Sequence, residues 1–324
     1  MKQYKIVYTD NIYGNNTVEE AYYSGECYNY AVADKHDEAS LIEICRDADA
    51  VMVSFAEITR PVIEAMENCK VIIRCGMGVN NVDIPAATEK KIPVANVQKY
   101  CLEEVSDHAL ALALTLQRRI GYMDRCVRSG IWDASKARPI HRLRGQTFGL
   151  YGLGAIANTL AQKAKALNFR VAAYDPYLPA EVFEQLGVER IENEEDLFSQ
   201  ADILSIHIPL LPSTAKIITL EKLKKMKPSA ILINTARGGL IDEAGLVAAL
   251  KEGIIAGAGL DVLTEEYPSA DHPLFALDNT IITPHYAYYS EESDTDLRSI
   301  ACQQVIEALE TGFPRYCLNR KEIE

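Results

Sequence analysis

The stretch Gln146-Thr-Phe-Gly-Leu-Tyr-Gly-Leu-Gly-Ala-Ile-Ala157 decides how this chain is read. An apolar run at residues 148–151 enters a glycine turn, and a pattern with Ile156, Leu160, Ala161, Ala164 and Leu167 at helical spacing leaves it. That order is strand, turn, helix. Gly152-x-Gly154-x-x-Ala157 has the G-x-G-x-x-G/A spacing of a dinucleotide site. Gly152 makes the turn, Gly154 lets backbone approach a pyrophosphate, and a small residue at 157 lets helix pack on strand. The N–H groups at the start of that helix, Ala155 and Ile156 among them, would face the phosphates. Glycine turns are common between strand and helix, so the motif needs a second feature, and Asp175 supplies it. The next apolar run ends there, 23 residues beyond Gly152. A carboxylate at that place accepts hydrogen bonds from the ribose hydroxyls and repels a 2′-phosphate, so NAD is expected rather than NADP.

Five more β-like runs follow the one at 148–151, near residues 171–174, 203–206, 230–234, 256–260 and 280–283. Six strands are enough for a doubly wound nucleotide domain. Upstream, runs near 5–9, 50–53, 71–74 and 93–97 alternate with helical patterns near 37–46, 61–68 and 84–91. This alternation predicts a second parallel sheet with helices on both faces. Residues 102–120 form a long Ala- and Leu-rich helical pattern, expected to bridge domains or to lie in a dimer interface. The last helical pattern, about 290–310, carries Leu297, Ile300, Ala301, Val305, Ala308 and Leu309 on one face and needs a sheet to cover it. Since the nucleotide domain is complete by residue 283, the simplest topology returns this helix to the first domain. The expected α/β architecture is therefore two doubly wound parallel-sheet domains. Residues 1–100 with 290–324 form a discontinuous, flavodoxin-like substrate domain, residues 101–289 form a Rossmann domain for NAD, and a closing cleft lies between them.

Composition narrows the function. With 33 basic against 46 acidic side chains, a formal net charge of −13, the chain offers no basic surface for nucleic acid or an anionic membrane. No run of apolar residues is long enough to span a bilayer, and Met1-Lys-Gln-Tyr-Lys-Ile6 reads as a strand rather than a signal peptide, which points to the cytoplasm. The eight cysteines form no C-x-x-C pair and sit mostly inside apolar runs, so they read as reduced, packed thiols. No metal-binding pattern and no G-x-S-x-G elbow occurs, and no metal is expected.

Three polar residues follow strands of the second sheet, at the edge where open parallel sheets bind ligands. Arg237 comes after Ile231-Leu-Ile-Asn-Thr-Ala and before Gly238-Gly239. A guanidinium there can hold the carboxylate and neighbouring carbonyl of a 2-oxo acid. His285, after Thr280-Ile-Ile-Thr-Pro284, can give a proton to a carbonyl oxygen as hydride reaches carbon and take it back in oxidation. Glu266 is its expected partner, orienting the ring and favouring the imidazolium. Glu265 is left to solvent. Asp261 is expected to accept a bond from a nicotinamide carboxamide, against the alternative of a turn or cap. Ile208, after His207, is expected to line the cofactor site. His108 reads as a packed or interface residue, and His36, His141 and His272 as loop residues.

With these residues assembled, the chain resembles the D-isomer-specific 2-hydroxyacid dehydrogenase family over nearly its whole length. The resemblance rests on Arg74-Cys-Gly-Met-Gly-Val-Asn-Asn-Val-Asp83, the glycine turn at 152–157, His207-Ile-Pro-Leu-Leu-Pro-Ser-Thr214, Asn234-Thr-Ala-Arg-Gly-Gly239, Gly259-Leu-Asp261 and Thr283-Pro-His-Tyr-Ala-Tyr288. It implies that backbone at Met77 and Gly78 binds the substrate carboxylate and that Thr235 and Ala236 touch the cofactor. It also implies that Arg237, Glu266 and His285 are the catalytic three, with the glutamate 29 residues after the arginine. A homodimer through the nucleotide domain is implied as well.

Within the family, Cys101-Leu-Glu-Glu-Val-Ser-Asp-His108 and His285-Tyr-Ala-Tyr-Tyr-Ser-Glu-Glu292 look closest to the branch of the carboxy-terminal-binding-protein corepressors and their dehydrogenase relatives. Tyr288 stands where that branch often has Trp, and is a candidate contact for the substrate side chain. Members acting on 3-phosphoglycerate have arginines near the third strand, where this chain has Val53-Ser-Phe-Ala-Glu-Ile58. An unphosphorylated 2-oxo acid such as glyoxylate or hydroxypyruvate is thus the expected substrate. The alternatives are a 3-phosphoglycerate dehydrogenase, an NAD(H)-sensing protein like the corepressors and, weakest, a formate dehydrogenase.

Overall fold

The computed structural model describes residues 3–33 and 35–324. Met1 and Lys2 of the strand expected at the N-terminus lie outside the described residues, as does Asp34. The chain divides into two compact units, residues 1–100 with 290–324, and residues 101–289.

In chain order the first unit runs β1 (Tyr4–Tyr8), α1 (Thr17–Tyr23), β2 (Tyr28–Val32), α2 (Glu38–Cys45), β3 (Ala50–Val53), α3 (Arg60–Ala65), β4 (Val71–Arg74), α4 (Ile84–Glu89) and β5 (Val94–Asn96). The second unit begins with α5 (Leu102–Gln117) and α6 (Ile120–Arg128). It continues through β6 (Thr147–Tyr151), α7 (Ala155–Ala166), β7 (Arg170–Tyr174), α8 (Ala180–Leu186), β8 (Glu189–Arg190), α9 (Glu194–Gln200) and β9 (Ile203–Ile206). It closes with α10 (Leu220–Leu223), β10 (Ile231–Asn234), α11 (Glu243–Lys251), β11 (Gly257–Leu260) and β12 (Thr280–Ile282). The chain then returns to the first unit as α12 (Glu291–Thr311) and α13 (Arg320–Ile323).

The first unit has a five-stranded parallel sheet in the order β2-β1-β3-β4-β5. Its central strands β3 and β4 are apolar on both faces because helices cover both. On one face Val7, Val51, Val53 and Ile72 pack with Leu41, Val62, Ile63 and Ala87 from α2, α3 and α4. On the other, Ile6, Tyr8, Met52, Val71 and Ile73 meet Leu297, Ala301, Cys302, Val305 and Ala308 of α12. A capping box at Ser290 and Ser293 starts that helix and Gly312, at φ +92°, ends it. Its buried Arg298 pairs with buried Glu19 of α1, Nε to Oε1 2.9 Å and Nη2 to Oε2 2.5 Å.

The second unit has a seven-stranded parallel sheet, β12-β11-β10-β9-β6-β7-β8. The order reverses at β6, which lies between β7 and β9, so the glycine turn after β6 stands at the topological switch point. Two elements of this unit differ from the sequence expectation. A seventh strand, β8, joins the edge, and the helical pattern at 102–120 breaks after Gln117, with Arg119 at φ +53° before α6 begins. The apolar face of α5 is explained inside this unit. Ala109, Leu112 and Ala113 pack with Leu160, Ala161 and Ala164 of α7, and α5 lies so close on β11 that a Cβ on Gly259 would be 3.0 Å from that of Leu112. All eight cysteines are free thiols, five of them buried. Among the described residues no helix is long and apolar enough to cross a membrane.

Candidate active site

At the glycine turn, Gly152 has φ +93°, and a Cβ there would lie 2.8 Å from Ile208 Cγ2 and 2.9 Å from the His207 carbonyl oxygen. Only glycine fits both the dihedral and the space. Ile208 therefore touches the turn as well as following β9. Gly154 has open space where a Cβ would stand, and it precedes α7, whose Ala157 is fully buried. Asp175 binds the turn directly: Oδ2 accepts from Leu153 N at 3.0 Å and Oδ1 from Tyr177 N at 3.1 Å. Each oxygen keeps a lone pair for a ribose hydroxyl.

Next along the edge, Asn234 shapes the segment that carries Arg237. Its Oδ1 accepts from Ala236 N at 3.0 Å and its Nδ2 donates to Arg237 O at 2.9 Å. The sequence reading missed this residue, although an Asn at a strand end is a turn signal. Arg237 donates from Nη1 to Ala236 O at 2.6 Å. The Thr235 hydroxyl is buried with no hydrogen-bond partner among the described residues. A buried hydroxyl so placed, the open space over Gly154 and the Asp175 carboxylate fit a dinucleotide along this edge. Gly238 sits against another main chain, since a Cβ there would be 1.9 Å from Leu263 C and 2.4 Å from Thr264 N. The Arg237 segment and the segment leading to Glu266 are thus packed backbone to backbone.

That second segment is tethered by a residue the sequence reading also passed over, Glu243, whose Oε1 accepts from Thr264 N at 2.6 Å. Two residues on, Glu266 meets His285: Nδ1 lies 2.7 Å from Oε1 and 3.0 Å from Oε2. Glu265 does not share this contact and is exposed. The pair borders a cavity of 290 Å³ whose walls include Leu263, Phe275, Ile282 and Pro284. His285 has φ +53°, left-handed for a residue with a Cβ.

Asp261 belongs to the turn rather than to open space. It is 1% exposed, and its Oδ1 accepts from Thr283 Oγ1 at 2.6 Å and Tyr286 N at 3.2 Å, its Oδ2 from Ala287 N at 3.0 Å. The turn role weighed in the sequence is the one these bonds serve. Tyr288 is half-buried one residue further on. His207 holds Ser205 Oγ at 2.8 Å through Nε2, and burial pushes its pKa down to about 4. His272 caps a short helical turn and lies 3.4 Å from Glu243. His108, read as a packed or interface residue, packs within the unit with Nε2 2.9 Å from Thr283 Oγ1.

Met77 and Gly78 lie in the first unit, after β4, both half-buried, with Asn96 Nδ2 donating to Met77 O at 2.6 Å. Gly76 beside them has φ +143°, a backbone conformation that favours glycine, and lies under the movable Arg74 guanidinium. Among the described residues no cluster of three or more His, Cys, Asp or Glu side chains could hold a metal.

Residues 110–287 match the profile of the NAD-binding domain of the D-isomer-specific 2-hydroxyacid dehydrogenases. The chain belongs to this family. It carries the family's NAD-binding domain, and that domain contains the glycine turn, Arg237, Glu266 and His285. It is 41% identical over 284 residues to a D-3-phosphoglycerate dehydrogenase of Methanocaldococcus jannaschii, covering 87% of this chain and 54% of that one. The chain spans about half the length of the first three such 2-hydroxyacid dehydrogenases it matches. A glycerate dehydrogenase of Methylorubrum extorquens is 36% identical over 320 residues, 96% of this chain and 98% of its own. Among solved structures, a glyoxylate reductase from Paecilomyes thermophila superposes with a TM-score of 0.89 at 26% identity, over 99% of this chain and 100% of that one.

Proposed function

We propose that this protein is an NAD-dependent dehydrogenase that interconverts a D-2-hydroxy acid and its 2-oxo acid. The observation that carries the reading is the bidentate approach of Glu266 to His285 Nδ1. With a carboxylate at Nδ1, the ring is oriented and Nε2 is the nitrogen that exchanges the proton. In reduction the Nε2–H bond breaks as an O–H bond forms at the oxygen on carbon 2 of the substrate, and His285 becomes neutral; in oxidation Nε2 takes the proton back. NAD(H), when bound, would supply or accept the hydride. Arg237 holds the substrate carboxylate and carbonyl in this reading, and backbone at Met77 and Gly78 binds the carboxylate. Asp175 favours NAD over NADP.

The substrate is an unphosphorylated acid of the glyoxylate or hydroxypyruvate kind. The backbone N–H groups of Ser54, Phe55 and Ala56, where a phosphate would seek donors, all bind the buried carboxylate of Asp10, at 2.8, 2.5 and 2.8 Å. Arg60 is committed to Glu89, at 2.6 and 3.1 Å. The names of the glycerate dehydrogenase and glyoxylate reductase relatives agree with this reading, whereas those of the phosphoglycerate dehydrogenases do not. We also propose a homodimer through the second unit. Ile120, Val127, Ile131 and Trp132, the last 90% exposed, put apolar surface on α6 and the arm after it.

The test is NADH oxidation against glyoxylate, hydroxypyruvate, pyruvate, phenylpyruvate and phosphohydroxypyruvate, with NADPH in parallel. Turnover of an unphosphorylated acid with NADH is expected. In Arg237→Ala turnover should collapse while NADH still binds. Preference for phosphohydroxypyruvate would refute the substrate class, and NADH binding without turnover of any acid would refute the activity.

A further inference from the structure

The left-handed backbone of His285 costs a non-glycine residue energy and persists only where its surroundings hold it. Asp261 holds this one. Its carbonyl oxygen accepts from His285 N at 2.8 Å, and its carboxylate accepts from Thr283, Tyr286 and Ala287 on both sides of the histidine.

A second group reaches this clamp from α5. His108 Nε2 stands 2.9 Å from Thr283 Oγ1. The proton inventory fixes the direction of that bond. A threonine hydroxyl has one hydrogen, and here it goes to a carboxylate that already accepts two backbone N–H bonds. The Thr283 oxygen is left to accept, so Nε2 of His108 carries the hydrogen. Burial lowers the pKa of His108 against the pull of Asp261. The same ring meets Tyr286 edge-on, with centroids 4.9 Å apart at 75°. One side chain thus braces the residue two before His285 and the residue one after it.

We propose that His108 is a positioning residue, whose Nε2–H bond to Thr283 locks the Asp261 clamp and with it the turn that aims the His285 imidazole. This rests on the reading of His285 as the proton-exchanging group. His108→Leu fills the volume without a donor, while His108→Gln places an amide N–H near the position of Nε2. The expected result is that H108L lowers kcat about ten- to a hundredfold, the loss typical of a small misplacement, with the KM for NADH within about twofold. H108Q should stay within about threefold of the parent kcat, because it keeps the donor.

Nuclear magnetic resonance of histidine-labelled protein gives a readout that needs no turnover. The His285 ring signals, assigned by their loss in His285→Asn, should be a single narrow set in the parent and in H108Q, and doubled or broadened in H108L. If H108L does not fold, His108→Asn, whose amide ends near the place of Nδ1, is expected to behave as H108L would. Parent kcat in H108L, unchanged His285 signals in H108L, or equal damage in H108Q and H108L would each overturn the proposal. If the parent reduces no 2-oxo acid, the dehydrogenase reading falls, and the ring signals still decide whether His108 positions His285.

Discussion

Replacing Gly238 by alanine tests whether the strand-end segments must touch for the site to work. The added Cβ would lie 1.9 Å from Leu263 C, 2.0 Å from Leu263 O and 2.4 Å from Thr264 N, all main-chain atoms that no rotamer change can move. Carbon atoms rest about 3.5 Å apart, so the two segments must part by roughly 1.5 Å. Arg237 immediately precedes Gly238 on one segment, and Glu266 lies two residues past Thr264 on the other. A displacement of that size in a reacting geometry costs about 100-fold in kcat, and overpacking on this scale costs about 1–3 kcal/mol of stability. NADH oxidation with the best 2-oxo acid, together with urea unfolding, measures both. Gly154→Ala is the control, because its Cβ enters open space. It should fold with parent stability yet weaken NADH binding where backbone meets pyrophosphate. If G238A kept kcat within threefold of the parent and lost no stability, the packing argument would be wrong.

Asp175→Ala should narrow the preference for NADH over NADPH by about tenfold or more, since one carboxylate charge is removed beside the 2′-position; the two KM values check it. Glu266→Gln keeps the shape but not the charge, and kcat should fall about 10²-fold with NADH affinity unchanged, which fluorescence titration can follow. His207 gives a pH signature. Its pKa of about 4 when folded lies below the ordinary value of about 6.5, so between them the unfolded chain binds a proton that the folded one does not. Its contribution is complete above pH 6.5 and is lost as pH falls toward 4, by at most about 1.4 kcal/mol per unit and less in proportion to its partial exposure. In His207→Gln the denaturant-derived stability should lose that slope. Light scattering should give twice the 36.0 kDa of one chain, and Trp132→Ser should shift the mass toward one copy.

The glycine turn and the central strands were legible because each constrains its own neighbourhood. Gly152 and Gly154 announce a dihedral and a clearance, and doubly covered strands such as β9 and β10 are continuous apolar runs. Two of the edge strands, β2 and β8, were not, although the other two, β5 and β12, read as apolar runs. β2 has the polar pattern Tyr-Asn-Tyr-Ala-Val, yet Tyr28, Tyr30 and Val32 alternate toward the core, a period-two signal that an apolar-run reading passes over. β8 is two polar residues long and pairs only because β7 offers a free edge. The apolar face of α5 was visible, but what it covers was not, because the answer lies in the glycines of β11 far along the chain. Likewise the spacing of Glu266 and His285 in sequence implies nothing about their distance. That is set by Glu243, Gly238 and Asp261, each fixing a different segment.

The buried pair of Glu19 and Arg298 joins residues 279 positions apart, and the sheet face beneath it is closed by α12. During synthesis the ribosome must therefore release residues 101–289 before the first unit can close. That middle segment is continuous and can fold as soon as it emerges, while Ile6, Tyr8, Met52, Val71 and Ile73 wait with one face bare. The nascent chain thus has a defined interval in which an apolar sheet needs protection from other chains, and the interval ends when Leu297, Ala301 and Val305 leave the exit tunnel.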